Sequence, residues 1–200
     1  MKPLTVPSGW KLFATLAGLT LFMTAVVLLS YPPGAQSLLS AIRATARSSF
    51  ILFLLAFLAS SLLTFVPSSG SRWLVRERRY LGLAFAFSHA VHAVLIYCHA
   101  QQFPEQFSSS LPGSIGYVFL LLLTVTSFKA PKRLLGGRAW KALHSTGMWV
   151  LAVVFCLSFY PRIPTGGGYP LAFALIFSAI TFKLVAKLAQ HQRRTASALS

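Results

Sequence analysis

The chain has 200 residues, of which 56% are hydrophobic and 10% charged, and 18 Lys and Arg stand against two acids, Glu77 and Glu105. A soluble domain is about a quarter charged, so an exterior solvated all round is excluded. The net charge of +16 raises nucleic acid as a partner, but the basic residues sit at the ends of apolar runs rather than on one face, and no nucleic-acid role is expected.

A membrane-crossing helix needs about 20 mostly apolar residues. In chain order, six runs qualify, at roughly 10–30, 48–66, 80–100, 112–128, 141–160 and 169–188, the fourth being the shortest. The first is too long for a signal peptide, and no small-x-small cleavage site follows in YPPGAQS, so it reads as a retained helix. Turn chemistry separates the runs: YPPG at 31–34, PSSGS at 67–71, FPEQFSSSLPG at 103–113, APK with a Gly pair at 130–137, and PRIPTGGG at 161–168.

Six crossings bring both termini to one side. That side then collects fifteen Lys and Arg, among them Lys2, the Arg72–Arg79 and Lys129–Lys141 groups, Lys183, Lys187, Arg193 and Arg194, against only Arg43, Arg47 and Arg162 on the other. Such a bias marks the cytoplasmic face. The expected fold is an all-α integral membrane six-helix bundle, a single domain over residues 1–200, with both termini cytoplasmic. The loops are short and carry neither GxGxxG nor a P-loop, so nucleotide or flavin chemistry falls to another protein.

The third run, RRYLGLAFAFSHAVH continuing to LIYCHA, holds His89, His92 and His99. At about 100° per residue, His92 and His99 fall within about 20° of each other and His89 about 60° from His92, so the three share one stripe. The fifth run adds His144 near its inner end, in KALHSTGMW. Ionisable side chains inside a span usually face the bundle interior and serve function, and imidazole is the commonest metal ligand. Zinc requires three or four close ligands, and a proton relay requires carboxylates, yet none of the six runs contains Asp or Glu. A b-type haem needs one imidazole from each of two facing helices, and it is the occupant these residues favour. His99, near the outer end, is expected to be solvated, and His191, in the basic tail, to be on the surface.

RRYLGLAFAFSHAVH resembles the third-helix signature of the ferric-reductase-like transmembrane domain family, especially its short bacterial haem-binding members. KRLLGGRAWKALH resembles that family's basic loop and the inner histidine of its fifth helix, and the likeness runs over roughly residues 45–160. The resemblance implies haem ligation by His92 and His144. It also implies a bacterial inner-membrane b-type cytochrome that takes electrons from a cytoplasmic flavin reductase or similar donor and passes them to a periplasmic or extracellular acceptor.

One position departs from the pattern. Family members carry another histidine thirteen residues after the inner one of helix five, where this chain has Leu157. A leucine cannot ligate iron, so a two-haem wire is disfavoured and one haem b is expected. His92 lies 13 residues past Arg79 and His144 only 6 past Arg138, a nominal depth mismatch of about 10 Å that His89 reduces to about 6 Å. His89 and His92 are therefore competing partners of His144.

Arg47 is the candidate for a haem propionate, ahead of Arg43 and of the inner pair Arg78 and Arg79. Cys98 and Cys156 read as inert thiols, with haem ligation or a disulfide on the oxidising side the alternatives, and Met148 reads as packing, with axial ligation the alternative. Trp10, Trp73 and Trp140 are placed like interface anchors. The inner basic groups suit either a donor protein or anionic lipid. A haem-free structural or assembly subunit is the rival reading, and a small transporter a third.

Overall fold

The computed structural model describes residues 7–106 and 110–199. Lys2 lies outside them, as do the side chains of Arg193 and Arg194. Six α-helices follow in order: α1 (Gly9–Leu29), α2 (Ala35–Phe65), α3 (Ser69–Gln102), α4 (Leu111–Val125), α5 (Lys129–Phe159) and α6 (Tyr169–Leu199). Short 3₁₀ turns lie at Pro104–Gln106 and Tyr160–Thr165, and no strand occurs among the described residues. All but α4 are long and apolar enough to cross a membrane. At 15 residues, α4 spans about 22 Å, short of a hydrocarbon core of about 30 Å. Large apolar side chains such as Phe22, Leu29, Val94, Leu121, Phe177 and Leu188 point outward, as lipid contact allows.

Three helices begin well before their apolar windows, and α6 runs past the end of its own. α2 begins at Ala35 instead of residue 48, so Arg43 and Arg47 stand on its exposed face and not in a loop. Hydroxyls of its polar stretch are satisfied on the preceding turn of the same helix: Thr45 Oγ1 donates to the Ala41 and Ile42 carbonyls at 2.8 and 3.0 Å, and Ser49 Oγ to Ala46 at 2.9 Å. α3 starts at Ser69, where Ser68 and Ser71 exchange hydrogen bonds (Ser71 N to Ser68 Oγ 3.1 Å, Ser68 N to Ser71 Oγ 2.9 Å), a reciprocal cap. The Arg72–Arg79 group is therefore helical. α5 starts at Lys129 and breaks only at Gly136 (φ 73°, ψ 162°), a conformation that favours glycine.

The chain divides into two compact units. Unit one comprises Met1–Phe53 and Glu77–Ser109; unit two comprises Leu54–Arg76 and Ser110–Ser200. In unit one, α2 presents Ala41, Thr45, Ser49 and Phe53 at four-residue intervals, each 0% exposed. Small residues at that spacing let another helix approach closely. α3 lies antiparallel against them: Phe85 packs on Phe53 (ring centroids 5.5 Å) and Ser88 Oγ is 3.1 Å from Ser48 Oγ. α1 is fastened at its N-terminus, where Gly9 N donates to the Glu77 carboxylate at 2.7 Å, and Trp10 packs edge-on to Tyr80. Glu77, three residues before the expected third span, is only 3% exposed. A buried acid is thus present, placed at the positive end of a helix.

In unit two, α4 and α5 pack antiparallel in a constant register. A Cβ on Gly116 would lie 3.1 Å from Val154, and one on Gly147 would lie 2.9 Å from Leu123. Further along the same seam, Thr126 Oγ1 is 3.0 Å from His144 Nε2. The C-terminal part of α2 runs parallel to α6, with Gln190 donating to Thr64 and Phe182 packed on Phe65. Lys183, counted with the inner-face cations from sequence, is buried in this unit. Its ammonium donates to the Phe57 carbonyl and lies 4.4 Å from the Phe57 ring centroid, two interactions that replace water.

Candidate functional site

Each unit holds imidazoles in a hydroxyl-lined setting. In unit one, α3 places His89 and His92 one turn apart with ring centroids 5.1 Å apart. His92 Nδ1 lies 3.0 Å from the Ile42 carbonyl and 3.1 Å from Thr45 Oγ1. A carbonyl oxygen can only accept, so this nitrogen carries the proton. His89 Nδ1 lies 3.1 Å from Ser49 Oγ. The Ser49 hydrogen is already given to Ala46, so here too the imidazole Nδ1–H donates. The carbonyl contact fixes Nδ1 as the donor in His92, and the Ser49 contact suits the same assignment in His89.

That arrangement suits ligation. A ligating imidazole typically donates its other N–H to a carbonyl or similar acceptor, which fixes the ring and raises its basicity. The hydroxyls come from Thr45 and Ser49, the same residues that line the close α2–α3 contact. Two imidazoles one turn apart on one helix face would compete for a single iron, so only one of them would hold it.

In unit two the polarity is reversed. Thr126 Oγ1 donates to the Leu122 carbonyl at 2.6 Å and lies 3.0 Å from His144 Nε2. Its hydrogen being committed, it accepts from His144 Nε2–H, which leaves the lone pair on Nδ1. Trp140 completes the box: its ring centroid is 4.3 Å from that of His144, and its Nε1–H donates to the Thr126 carbonyl at 2.8 Å. Trp140 is thus tied into the α4–α5 seam as well as placed near an interface.

The other candidates are scattered. Arg47 projects from α2 on the side away from buried Thr45 and Ser49, which anchor the imidazoles. Cys98 and Cys156 are free thiols in different units. Leu157 is 53% exposed. His191 is exposed as expected. His99 corrects the expectation of solvation, since it is 5% exposed and packed near Phe103 at 5.4 Å, and its Nε2 has no hydrogen-bond partner among the described residues. The imidazole-anchoring hydroxyls Thr45, Ser49 and Thr126 were not identified from sequence. The four-residue spacing of Thr45 and Ser49 in a span-length helix is a signal that could have found the first two.

No family model matches the chain, and no solved structure matches it. Over 123 residues the chain is 30% identical to the haem-binding subunit MsrQ of a protein-methionine-sulfoxide reductase from Azospira oryzae. That alignment covers 56% of this chain and 52% of the relative, so the chain spans about half the length of the curated protein it matches. The resemblance to a bacterial haem-binding subunit, drawn from the blocks around His92 and His144, is supported by this relative.

Proposed function

We propose that this protein is a membrane b-type cytochrome subunit that binds one haem b and passes electrons across the bilayer. The donor in this reading is a cytoplasmic flavin reductase or a similar protein, and the acceptor lies on the periplasmic or extracellular side. The observation that carries it is the anchoring of His89 and His92 on α2 through Nδ1, in the manner usual for ligating imidazoles. Haem supplies one-electron chemistry when bound, and the protein sets its potential through axial ligands and burial.

The proposed ligands remain His89 or His92 and His144, and His144 would ligate through Nε2 only by giving up its bond to Thr126. Arg47 is the proposed partner of a propionate, through its long flexible side chain. The positive-inside bias supports the reading that both termini and the basic α3 and α5 starts lie on the cytoplasmic face, in this proposal that of a bacterial inner membrane. A haem-free structural subunit is the competing reading, favoured by the Thr126–His144 bond and by leucine at 157. A dithionite-reduced minus oxidised spectrum of the purified protein separates the two. Sharp cytochrome b bands are expected, and a featureless trace after haem supplementation would defeat the proposal.

A further inference from the structure

Unit two contains no Asp or Glu, because both acids of the chain, Glu77 and Glu105, belong to unit one. Where α5 begins, Lys129, Lys132 and Arg133 nevertheless line one cleft of about 400 Å³, together with Gly136 and Gly137. Their spacing of three and four residues puts all three cations on one helix face, where like charges repel. The backbone leaves helical geometry at Gly136 and resumes it at Gly137, which sets a helix start, with its positive dipole end, on the cleft wall. One side chain is already steadied, since Lys132 Nζ lies 4.4 Å from the Trp140 ring centroid.

The opposite face of the same short segment is apolar. At about 100° per residue, Ala130, Pro131 and Leu134 share it, and Leu134 is 89% exposed. A basic face backed by an outward leucine is the pattern of a segment lying in the membrane interface, with its apolar side against acyl chains and its cations among headgroups. A soluble phosphate ester would satisfy the cations and leave Leu134 in water.

We propose that this cleft is a binding site for an anionic phospholipid, whose phosphodiester is held by Lys129, Lys132, Arg133 and the backbone around Gly137 while its acyl chains cover Leu134. The cation resting on Trp140 makes that indole the reporter of occupancy.

The purified full chain in neutral detergent is titrated with phosphatidylglycerol, phosphatidylcholine or glycerol phosphate, with retained lipid read by native mass spectrometry and tryptophan emission recorded in parallel. Phosphatidylglycerol is expected to be retained selectively, with an emission change absent from Trp140→Phe. Replacing Lys129, Lys132 and Arg133 with Gln is expected to weaken retention roughly a hundredfold, at about one kcal/mol per charge. Should that variant fail to fold, Leu134→Ser keeps every cation and is expected to weaken phosphatidylglycerol retention by itself. Equal retention of phosphatidylcholine, or full competition by glycerol phosphate at matched concentration, would overturn the proposal. Undiminished retention in both the triple variant and Leu134→Ser would also overturn it and return the cations to a protein-docking face.

Discussion

His92 in unit one and His144 in unit two are both half-buried imidazoles bonded to a threonine hydroxyl whose own hydrogen is given to a helix carbonyl. They differ in which nitrogen is held. α2 grips His92 by Nδ1 and leaves Nε2 with the lone pair; α4 grips His144 by Nε2 and leaves the lone pair on Nδ1. The residue type is therefore a weak guide to ligation, and the group bonded to the other ring nitrogen decides which atom a metal can meet. Unit one is arranged as ligating histidines usually are, whereas in unit two the imidazole is currently spent on joining α4 to α5.

The largest effect expected from that contrast is in the α3 pair. Replacing both His89 and His92 with Ala abolishes haem binding, as measured by the pyridine haemochromogen, while either single replacement identifies the ligand by its loss. Full occupancy in the double variant would end the haem assignment to α3.

The anchors sharpen the choice between the two. Second-shell losses weaken metal binding by about 10- to 100-fold. Ser49→Ala removes the hydroxyl partner of His89 Nδ1, whereas Thr45→Val leaves His92 its bond to the Ile42 carbonyl. If His89 is the ligand, haem titration shows Ser49→Ala near the lower figure of about tenfold or worse and Thr45→Val close to wild type. If both variants bind like wild type, His92 is the ligand and its carbonyl bond suffices.

The positions and apolar character of the helices were legible in the sequence because lipid-facing runs are long and carry few charges. Their true lengths were not. Hydropathy stops α2 at residue 48, yet Thr45 and Ser49 satisfy themselves on their own helix and turn inward, while Arg43 and Arg47 take the exposed face. The Gly136–Gly137 pair was read as part of a loop; only Gly136 leaves helical geometry. His89, His92 and His144 were found by residue type, but their tautomers depend on carbonyls and hydroxyls of other helices, which no local pattern encodes. His99 was placed in solvent from its distance along the helix. It is buried because depth along an axis says nothing about which face is covered.

The α4–α5 seam can be loosened without touching an imidazole. Gly147→Ala brings a Cβ within 2.9–3.0 Å of Leu123 side-chain atoms, including its branch carbon, so Leu123 must move. Overpacking of this kind costs about 1–3 kcal/mol. Gly116→Ala meets Val154 at 3.1 Å through a single methyl and should cost less. Thermal unfolding in one detergent ranks the two, and the reverse order would show that the seam is not rigid around Gly147.

The smallest expected effect is the most discriminating between the two units. Thr126→Val keeps the shape of the seam and removes the hydroxyl that accepts from His144 Nε2. If His144 ligates iron through Nε2, that nitrogen has left Thr126 in the haem-bound protein, so valine leaves haem content at or slightly above wild type. The apoprotein alone loses stability, by about 1 kcal/mol for a neutral hydrogen bond. If His144 is only a strut between α4 and α5, apo and haem-loaded protein lose the same amount. Unfolding midpoints of Thr126→Val measured with and without haem therefore separate an Nε2 ligand from a strut, and an equal drop in both states would remove His144 Nε2 from the proposed ligand set while leaving the α3 pair in place.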